Sequence, residues 1–510
     1  MKNILYIVTA LVLLFGGYFL FNKNLEPAPV ARASDVVELK NGDSYDLTAG
    51  YVTKEVADKE QRMLAYNGMI PGPTIKVPQG AEITINFKNN TDLPALLHSH
   101  GVRMDNAFDG AQTSQKDIPP GGSFSYTLKF PDVGVFWYHP HTYEVYEQAL
   151  GLYGAFVVTP SDPNYYPPVN QEVPLFLSDL PTSREGDILL KKDSKDYALM
   201  GHYGNTMLVN GEENYSLSVK RGEVVRLDVI NAANVRPFNF AIAGTKLKIV
   251  GGDNGAYEKA FFADSITLAP SERAIVDVLF LTGGEYTIEN KTPIGTYPLG
   301  SVLVSGDKAT VSYAKEFTTL QANTSASASI DPFRTYFNKT PDKKLKLTVD
   351  ISGGAMSSTG GHMMPDGTMM GGSMTSPSSD GIEWEDEMPM MGTLTTDAVT
   401  WKIVDQDTGK ANADINWVFK KGVPVKIEIF NDPHSAHPMQ HPIHFHGQRF
   451  LVVSRNGVPQ TNLVWKDTAL VKAGETVDII LDPSNLGEWM AHCHISEHLQ
   501  GGMMFMFKVE

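Results

Sequence analysis

The segment Gln79-Gly80-Ala81-Glu82-Ile83-Thr84-Ile85-Asn86-Phe87 recurs twice more along this chain of 510 residues. Its counterparts are Arg221-Gly222-Glu223-Val224-Val225-Arg226-Leu227-Asp228-Val229 and Lys421-Gly422-Val423-Pro424-Val425-Lys426-Ile427-Glu428-Ile429. Each copy has a turn glycine followed by alternating apolar and polar residues, which is the period of a half-buried strand. The repetition predicts three tandem copies of one β-rich domain.

Two further elements follow each repeated glycine. The first reads His98-Ser99-His100-Gly101, Ala241-Ile242-Ala243-Gly244 and His444-Phe445-His446-Gly447 in the three copies. The second is a glycine, a strand and an aromatic residue, found in 134–141, 284–288 and 487–494. The middle copy lacks histidines in both elements, so we expect a site shared by the first and third domains, with the second as a spacer. A single His-x-His pair can be surface polarity on one strand face, but four pairs at equivalent positions argue against that interpretation.

We therefore predict an all-β fold of three tandem β-sandwich domains with short strands and Gly/Pro turns. The 45 glycines and 31 prolines agree with many turns. The predicted domain limits are 35–160, 161–315 and 340–510, with a linker at 316–339. The formal net charge of −16 argues against nucleic acid as a partner, because phosphate binding needs concentrated Lys and Arg.

Residues 1–34 differ in kind from the rest of the chain. After Lys2 comes an apolar run from Ile4 to Phe21, which is typical of an export signal. The run is also about long enough to span a bilayer, for which roughly 17–25 residues suffice. A signal peptide cleaved near Ala31-Arg32-Ala33 and an uncleaved membrane anchor therefore both stay open. Either one predicts a periplasmic or extracellular protein.

Ten of the 14 histidines fall in four clusters: His98 and His100; His139 and His141; His441, His444 and His446; His492, His494 and His498. Imidazole suits several metals, so histidine alone does not select one. The single cysteine, Cys493, excludes an intramolecular disulfide. Together with His441, His498 and Met503 it makes a His2Cys set with a weak axial thioether, which is typical of a blue-copper site. Zinc would prefer four good donors in a closed tetrahedron.

Cys493 lies between His492 and His494. Neighbours on an extended strand point to opposite faces, so the thiolate and the flanking imidazoles can bind different metal ions. One short peptide can thereby connect a one-electron acceptor to a second site behind it.

The four motifs resemble those of multicopper oxidases, the family of laccases, bacterial copper-efflux oxidases and spore-coat laccases. The resemblance covers nearly the whole chain after the N-terminal segment. It implies cupredoxin-like Greek-key domains and four copper ions: one type 1, one type 2 and a type 3 pair. It also implies an enzyme that oxidises its substrate by single electrons at the type 1 copper and reduces O2 to water at the trinuclear cluster.

The resemblance also implies the role of each ligand. The type 1 ligands are His441, Cys493, His498 and, ten residues after Cys493, the axial Met503 rather than Met504. The type 2 ligands are His98 and His444. The type 3 ligands are His100, His139, His141, His446, His492 and His494.

Two positions depart from the family pattern. Ser99 stands where the family usually has tryptophan, and Leu499 stands where bacterial laccases commonly carry a glutamate near the oxygen site. Asp109 matches an acid that the family uses there, so we expect it to relay protons, although an Asp-Gly turn would also explain it. Glu497 is a second candidate acid. Four histidines lie outside the motifs. Three of them, His202, His434 and His437, are predicted to be surface or loop residues, and His362 belongs to the methionine-rich segment described next.

Between about 353 and 392 the composition changes to methionine with Gly, Ser and Thr. Nine of the 20 methionines lie there: Met356, Met363, Met364, Met369, Met370, Met374, Met388, Met390 and Met391. The segment is predicted to be a mobile insertion early in the third domain. Methionine could be incidental in such a loop, but thioethers are soft donors that select Cu(I), and copper-efflux oxidases carry a similar insertion.

The sequence therefore predicts an oxidase with O2 as one partner and Cu(I) as the reductant, in copper tolerance. The alternative is a general laccase acting on phenols and aromatic amines. A non-catalytic copper-binding or division-associated relative would lack the ligands, and a copper nitrite reductase has two such domains and no type 3 pair. We expect the protein to be a monomer.

Overall fold

A computed structural model describes residues 28–352, 362–363, 369–370, 380–386 and 389–510. Most of the predicted export segment lies outside these residues. So do Met356, Met364, Met374 and Met388 of the methionine-rich insertion, while Met363, Met369, Met370 and Met390 are described by their backbone alone. Met391 is the insertion methionine whose side-chain burial is described.

The described chain is 48% strand and 8% helix, which confirms the predicted all-β fold of three cupredoxin-like domains. The first domain has two sheets, ordered β3-β2-β5-β7 and β1-β4-β9-β8-β6. Its strands are β1 (Val36–Glu38), β2 (Ser44–Val56), β3 (Lys59–Tyr66), β4 (Thr74–Pro78), β5 (Glu82–Asn89), β6 (His98–His100), β7 (Ser123–Lys129), β8 (Gly134–His139) and β9 (Gly154–Thr159).

The second domain has sheets ordered β11-β10-β13-β18-β15-β16 and β12-β20-β19-β14-β17. Its strands are β10 (Gln171–Leu180), β11 (Thr206–Val209), β12 (Tyr215–Arg221), β13 (Val224–Asn231), β14 (Phe238–Ile242), β15 (Leu247–Gly252), β16 (Gly255–Ala263), β17 (Ile266–Leu268), β18 (Arg273–Leu279), β19 (Gly284–Lys291) and β20 (Thr296–Lys308).

The third domain has sheets ordered β24-β21-β26-β32-β28-β29, with β30 also pairing with β28, and β25-β34-β33-β27-β31. Its strands are β21 (Lys343–Ile351), the short pair β22 (His362–Met363) and β23 (Met369–Met370), β24 (Val399–Asp405), β25 (Asn416–Phe419), β26 (Val425–Asn431), β27 (His441–Phe445), β28 (Arg449–Arg455), β29 (Val458–Pro459), β30 (Trp465–Lys466), β31 (Thr468–Val471), β32 (Thr476–Asp482), β33 (Gly487–Cys493) and β34 (Met504–Val509).

Helices are few and short. The α-helices are α1 (Glu144–Glu147), α2 (Ala314–Thr318), α3 (Thr324–Ile330) and α4 (Ser496–Gln500). Short 3-10 helices cover Asn106–Phe108, Asp331–Tyr336, Pro389–Thr393 and Asn412–Asp414. Within the described ranges, none of the helices has the length and apolar character needed to cross a membrane.

The three repeated segments occupy the same place in each domain. Gly80, Gly222 and Gly422 all have positive φ (84°, 88° and 73°), the region that glycine adopts without steric cost. The strand after each glycine pairs in parallel with the long strand before it and antiparallel with a later one: β5 lies between β2 and β7, β13 between β10 and β18, and β26 between β21 and β32. The alternating apolar residues of each strand face the core of their own domain. In β13, however, all eight residues are buried, so the strand predicted to be half-buried in the second copy is covered on both faces. The domain limits of 35–160, 161–315 and 340–510 stay a prediction.

The insertion connects two neighbouring strands, because β21 pairs antiparallel with β24 (Ile351 opposite Val399). Its described end differs from the expected mobile loop. Ile382, Glu383 and Trp384 are each no more than 2% exposed. The apolar two of them pack against Ala269 and Leu470, because the surfaces of the second and third domains offer an apolar contact there.

Candidate metal centre

Eight buried histidines from four strands or strand ends meet between the first and third domains. In the first domain β6 lies beside β8, with His98 opposite His139, and in the third β27 lies beside β33, with His444 opposite His492. The rings stack across the domain boundary: the centroids are 4.1 Å apart for His98 and His446 and 3.7 Å for His100 and His444. The eight are His98, His100, His139, His141, His444, His446, His492 and His494, none more than 6% exposed.

Backbone carbonyls fix which nitrogen carries the proton in four of these rings. The Nδ1 atoms of His98, His139, His444 and His492 lie 2.7–2.9 Å from the carbonyls of Asp109, Pro140, Asp467 and Cys493. A carbonyl only accepts, so each Nδ1 is the donor and each Nε2 keeps its lone pair. In the described part of the chain, the Nε2 atoms of His98, His139, His141 and His444 have no hydrogen-bond partner. Unpartnered imidazole lone pairs converging in a dry site are what a metal cluster requires.

Burial keeps these rings neutral. It lowers the pKa of His98 to about 4 and that of His446 to about 3, helped at His98 by the neighbouring His446. The pKa values of His100, His139, His141, His444, His492 and His494 also lie well below the ordinary value, for the same reason. Because a histidine must be deprotonated to bind a metal, the whole set is ready to do so at neutral pH.

Several overlapping sets have ligand atoms within 4.8 Å of one another. They are His98 with His100 and His139; His98 with His444 and His446; His141 with His446 and His492; and His100 with His444 and Asp467. Shared members among the sets fit closely spaced metal ions rather than one.

A second, separate set consists of His441, Cys493 and His498. The Cys493 Sγ lies 3.5 Å from His441 Nδ1 and 3.6 Å from His498 Nδ1, and the two nitrogens are 3.2 Å apart. Burial raises the pKa of the Cys493 thiol and lowers that of His441 to about 3. A metal ion in contact with the sulfur favours the thiolate and so opposes the effect of burial.

Met503 lies next to this second set. Its N–H donates to the carbonyl of His498 (2.9 Å), and its carbonyl accepts from the Cys493 N–H (3.1 Å). Met503 is fully buried, whereas Met504 is half-buried. One imidazole-imidazole-thiolate set with a neighbouring thioether suits copper.

The two ligand sets are joined at Cys493 and His492, neighbouring residues at the end of β33. The Cys493 sulfur faces His441, while the adjacent His492 Nε2 lies 3.0 Å from His446 Nε2 in the larger cluster. Alternation of side chains along β33 produces this separation.

Asp109 lies against the larger cluster and is fully buried. Its Oδ2 accepts from His446 Nδ1 at 2.9 Å, and burial raises the pKa of the carboxyl to about 6. Gly110 follows with φ of 73°, so the Asp-Gly turn is also present. Asp109 can therefore belong to the turn and contact His446 of the histidine cluster at the same time.

Glu497 contacts a histidine that is not one of the eight. Its Oε1 accepts from the backbone N–H of His202 (2.9 Å) and lies 2.7 Å from His202 Nδ1. His202 and His437 lie in loops, as predicted, but not at the surface: they are 5% and 1% exposed, and each is paired with a buried glutamate. His434 is exposed as predicted.

Three further residues at this cluster were not predicted from the sequence: Asp467, Thr468 and Arg273. Asp467 Oδ1 and Thr468 Oγ1 lie 3.0 Å and 3.1 Å from His100 Nε2, and Arg273 from the second domain is paired with Asp467. These residues have no motif around them, so their role is visible only in three dimensions.

Comparison with known proteins agrees with this geometry. Three family models, each described as multicopper oxidase, match residues 48–163, 171–303 and 384–510. The chain is 27% identical over 462 residues to the multicopper oxidase mco of Staphylococcus haemolyticus (88% of this chain, 83% of the relative). It is 25% identical over 513 residues to laccase-3 of Oryza sativa (89% of each chain).

A solved structure described as the multicopper oxidase from Campylobacter jejuni, a metallo-oxidase, has the same fold. The TM-score is 0.68 at 23% identity, over 95% or more of each chain. Domain matches along most of the chain, together with a donor set suited to copper, identify this chain as a member of the multicopper oxidase family, a copper-containing oxidase.

Proposed function

We propose that this oxidase accepts single electrons at a type 1 site formed by His441, Cys493, His498 and Met503. The trinuclear site would be formed by His98 and His444 for type 2 copper and by His100, His139, His141, His446, His492 and His494 for the type 3 pair. Bound copper supplies the redox chemistry, one-electron oxidation of the reductant and four-electron reduction of O2 to water.

The protein orients the imidazole ligands and excludes water from the site. The carbonyls of Asp109, Pro140 and Asp467 orient the rings, and burial keeps water and protons away from the imidazole lone pairs. The Cys493-His492 and Cys493-His494 peptides give the shortest covalent connection between the two sites.

Asp109 is our proposed source of protons for reduced oxygen. Its carboxyl is buried, is hydrogen-bonded to His446 and has a pKa near 6, so it can hold and release a proton at neutral pH. Glu497 stays a weaker proposal, because its carboxylate is engaged by His202.

Cu(I) is the reductant we propose, and the observation that carries this is a buried acid–imidazole pair beside the type 1 ligands. Glu383, at the end of the methionine-rich insertion, has Oε1 3.3 Å from His437 Nε2, and both side chains are at most 2% exposed. Within the described residues neither Glu383 oxygen has a hydrogen-bond partner. A buried carboxylate without full hydrogen bonding is costly unless a cation accompanies it.

Hydrogen bonds between the Glu383 backbone and the Gln440 side chain hold this pair next to His441. The Glu383 N–H donates to Gln440 Oε1 (2.8 Å), the Gln440 amide returns a bond to the Glu383 carbonyl (3.2 Å), and Gln440 is the residue before His441. Met439, just before it, is fully buried. The Glu383 carboxylate offers negative charge to a cation, and the His437 imidazole is a donor that suits copper. The same insertion is rich in methionine, whose thioether selects Cu(I).

Laccase activity on phenols and aromatic amines is the alternative. The chain is similar both to a laccase and to a metallo-oxidase, so likeness does not choose between the two reductants.

Steady-state kinetics of the copper-loaded Glu383→Gln variant would test the choice. We expect kcat/KM for Cu(I) to fall by about 10-fold or more, the usual cost of losing a group that supports metal binding. Phenol turnover and the blue band should be unchanged. Glu385→Gln is the matched control, two residues away and half-buried. Unchanged Cu(I) kinetics in Glu383→Gln would favour the laccase alternative.

From the N-terminal sequence we also propose export to the periplasm or the extracellular space, with the segment either cleaved or kept as an anchor. We also propose, from the sequence, that the protein is a monomer and that its domains have the limits given above.

A further inference from the structure

The second domain carries none of the metal ligands, yet one of its side chains reaches the junction of all three domains. Arg273, the first residue of β18, is 1% exposed. Its Nη1 and Nη2 donate to Asp467 Oδ1 and Oδ2 at 2.7 Å and 2.5 Å. This is the bidentate geometry in which a guanidinium fixes both the position and the plane of a carboxylate.

Asp467 in turn contacts a histidine from each ligand-bearing domain. Its Oδ1 lies 3.0 Å from His100 Nε2, and its backbone carbonyl lies 2.8 Å from His444 Nδ1. The carboxylate and the carbonyl both accept, so the protons sit on His100 Nε2 and His444 Nδ1. The opposite nitrogens, His100 Nδ1 and His444 Nε2, have no partner in the described chain.

The surroundings are shaped for this pair. A Cβ on Gly101, whose φ is 79°, would collide with the Asp467 carboxylate. Arg273 Nε donates to the carbonyl of Val135 (2.8 Å), on the strand that carries His139. Asp253 lies 3.7 Å from Arg273 Nη1 and 3.1 Å from Lys466 Nζ, so the buried charges form a network rather than one isolated pair.

We propose that Arg273 is a positioning residue of the trinuclear site, through which the ligand-free second domain acts on copper binding. By holding the Asp467 carboxylate, Arg273 orients the His100 ring and fixes its tautomer, so that Nδ1 faces the metal. The same carboxylate accepts from Thr468 Oγ1 (3.1 Å), which lies 3.2 Å from His444 Nδ1, so Arg273 also acts on the orientation of His444, the proposed type 2 ligand. The inference rests on the proposed ligand roles of His100 and His444.

The test is Arg273→Gln in the full-length protein, loaded with copper. We expect type 2 copper affinity to fall by about 10–100-fold, as for other groups that orient a ligand. Copper analysis should show loss of trinuclear copper, and the type 2 electron paramagnetic resonance signal should weaken or change its hyperfine splitting. The type 1 blue band should remain.

Arg226→Gln is the matched control. Arg226 is also buried in the second domain and makes a bidentate pair with Asp277 on the same strand β18 (2.8 Å and 3.0 Å), remote from the histidines. Its loss should lower stability without altering the type 2 signal. If Arg273→Gln matched Arg226→Gln in copper content and type 2 spectrum, Arg273 would be structural only and the proposal overturned.

Asp467→Asn gives a second measurement should Arg273→Gln fold poorly, because it keeps the side-chain shape and removes the charge. We expect it to change the type 2 signal in the same way, and the double variant to be no worse than either single one. An unchanged type 2 signal in Asp467→Asn would also overturn the proposal. A wild-type protein without a type 2 signal would instead contradict the ligand assignment.

Discussion

Cys493 joins the two metal-binding sets by covalent bonds. Its sulfur faces His441 and His498, and the imidazole of His492, one residue earlier, faces His446. Any electron that enters at the thiolate therefore has a path of a few bonds to the larger cluster.

Replacing Cys493 by serine should abolish the blue absorption band and the oxidase activity. A hydroxyl is not a thiolate and cannot give the blue-copper spectrum. Copper in the trinuclear site should persist, because none of the eight histidines changes. The visible absorption spectrum checks the loss of the blue band, and the copper content checks the retention of trinuclear copper. Met504→Leu is the control, since that half-buried neighbour of Met503 should leave the band unchanged; a persistent band in Cys493→Ser would contradict the type 1 assignment.

Asp109→Asn should slow reoxidation by O2 by about 100-fold or more, the scale on which a proton donor contributes. The amide keeps the size of the carboxyl but carries no transferable proton. Anaerobic reduction of the type 1 site should keep its rate in stopped-flow. Asp105→Asn serves as control, because this exposed residue caps the same 3-10 turn. Equal reoxidation rates in the two variants would leave only the turn role for Asp109.

At the scale of elements, the hairpin of β21 and β24 is where this chain differs from a plain sandwich domain. The insertion leaves β21 at Ile351 and returns through residues 380–386, which are fastened to Gln440 and Tyr203. The returning end therefore lies beside His441, the proposed type 1 ligand.

Removal of 354–378 should lower Cu(I) oxidation and raise turnover of bulky phenols. The deletion removes the thioethers that we propose to gather Cu(I), and we expect the shorter connection between β21 and β24 to admit larger donors. The anchored residues 380–386 stay, so the blue band and four-copper loading should survive. Kinetics on both substrates measure the effect.

The matched control replaces Met356, Met363, Met364, Met369, Met370 and Met374 by serine at full length. It should reduce Cu(I) oxidation without raising phenol turnover, because the segment keeps its length. If the deletion changes the kinetics with neither substrate, the deleted part of the insertion is only a tether, and the proposal of Cu(I) as the reductant rests on the Glu383–His437 pair alone.

At the scale of the whole molecule, the cluster of eight histidines lies where the first and third domains meet. His100 and His446 come from opposite sides of that boundary. Alanine at either position should stop O2 reduction while the type 1 site still forms and accepts electrons. Oxygen consumption measures O2 reduction, and anaerobic bleaching of the blue band measures whether the type 1 site still accepts electrons. The exposed His434→Ala is the control; normal oxygen consumption at full copper loading in either site variant would contradict the interdomain assignment.

Much of this architecture could be predicted from the sequence because it is local and repeated. Turn glycines and alternating strands specify each sandwich through short-range patterning, and the His-x-His and His-Cys-His spacings place ligands on predictable strand faces. The all-β fold and the copper chemistry follow from those patterns.

Tertiary structure alone decided the rest, since it depends on residues distant in sequence. Arg273, Asp467 and His100 come from three domains and meet because the domains pack, and no local pattern specifies that packing. His202 and His437 look like unremarkable loop residues along the chain, yet each is buried with a glutamate from another segment. The periodicity of a sequence segment indicates which face of that one strand is buried in its own domain core. The pairing of buried charges between domains depends instead on how the folded domains pack together.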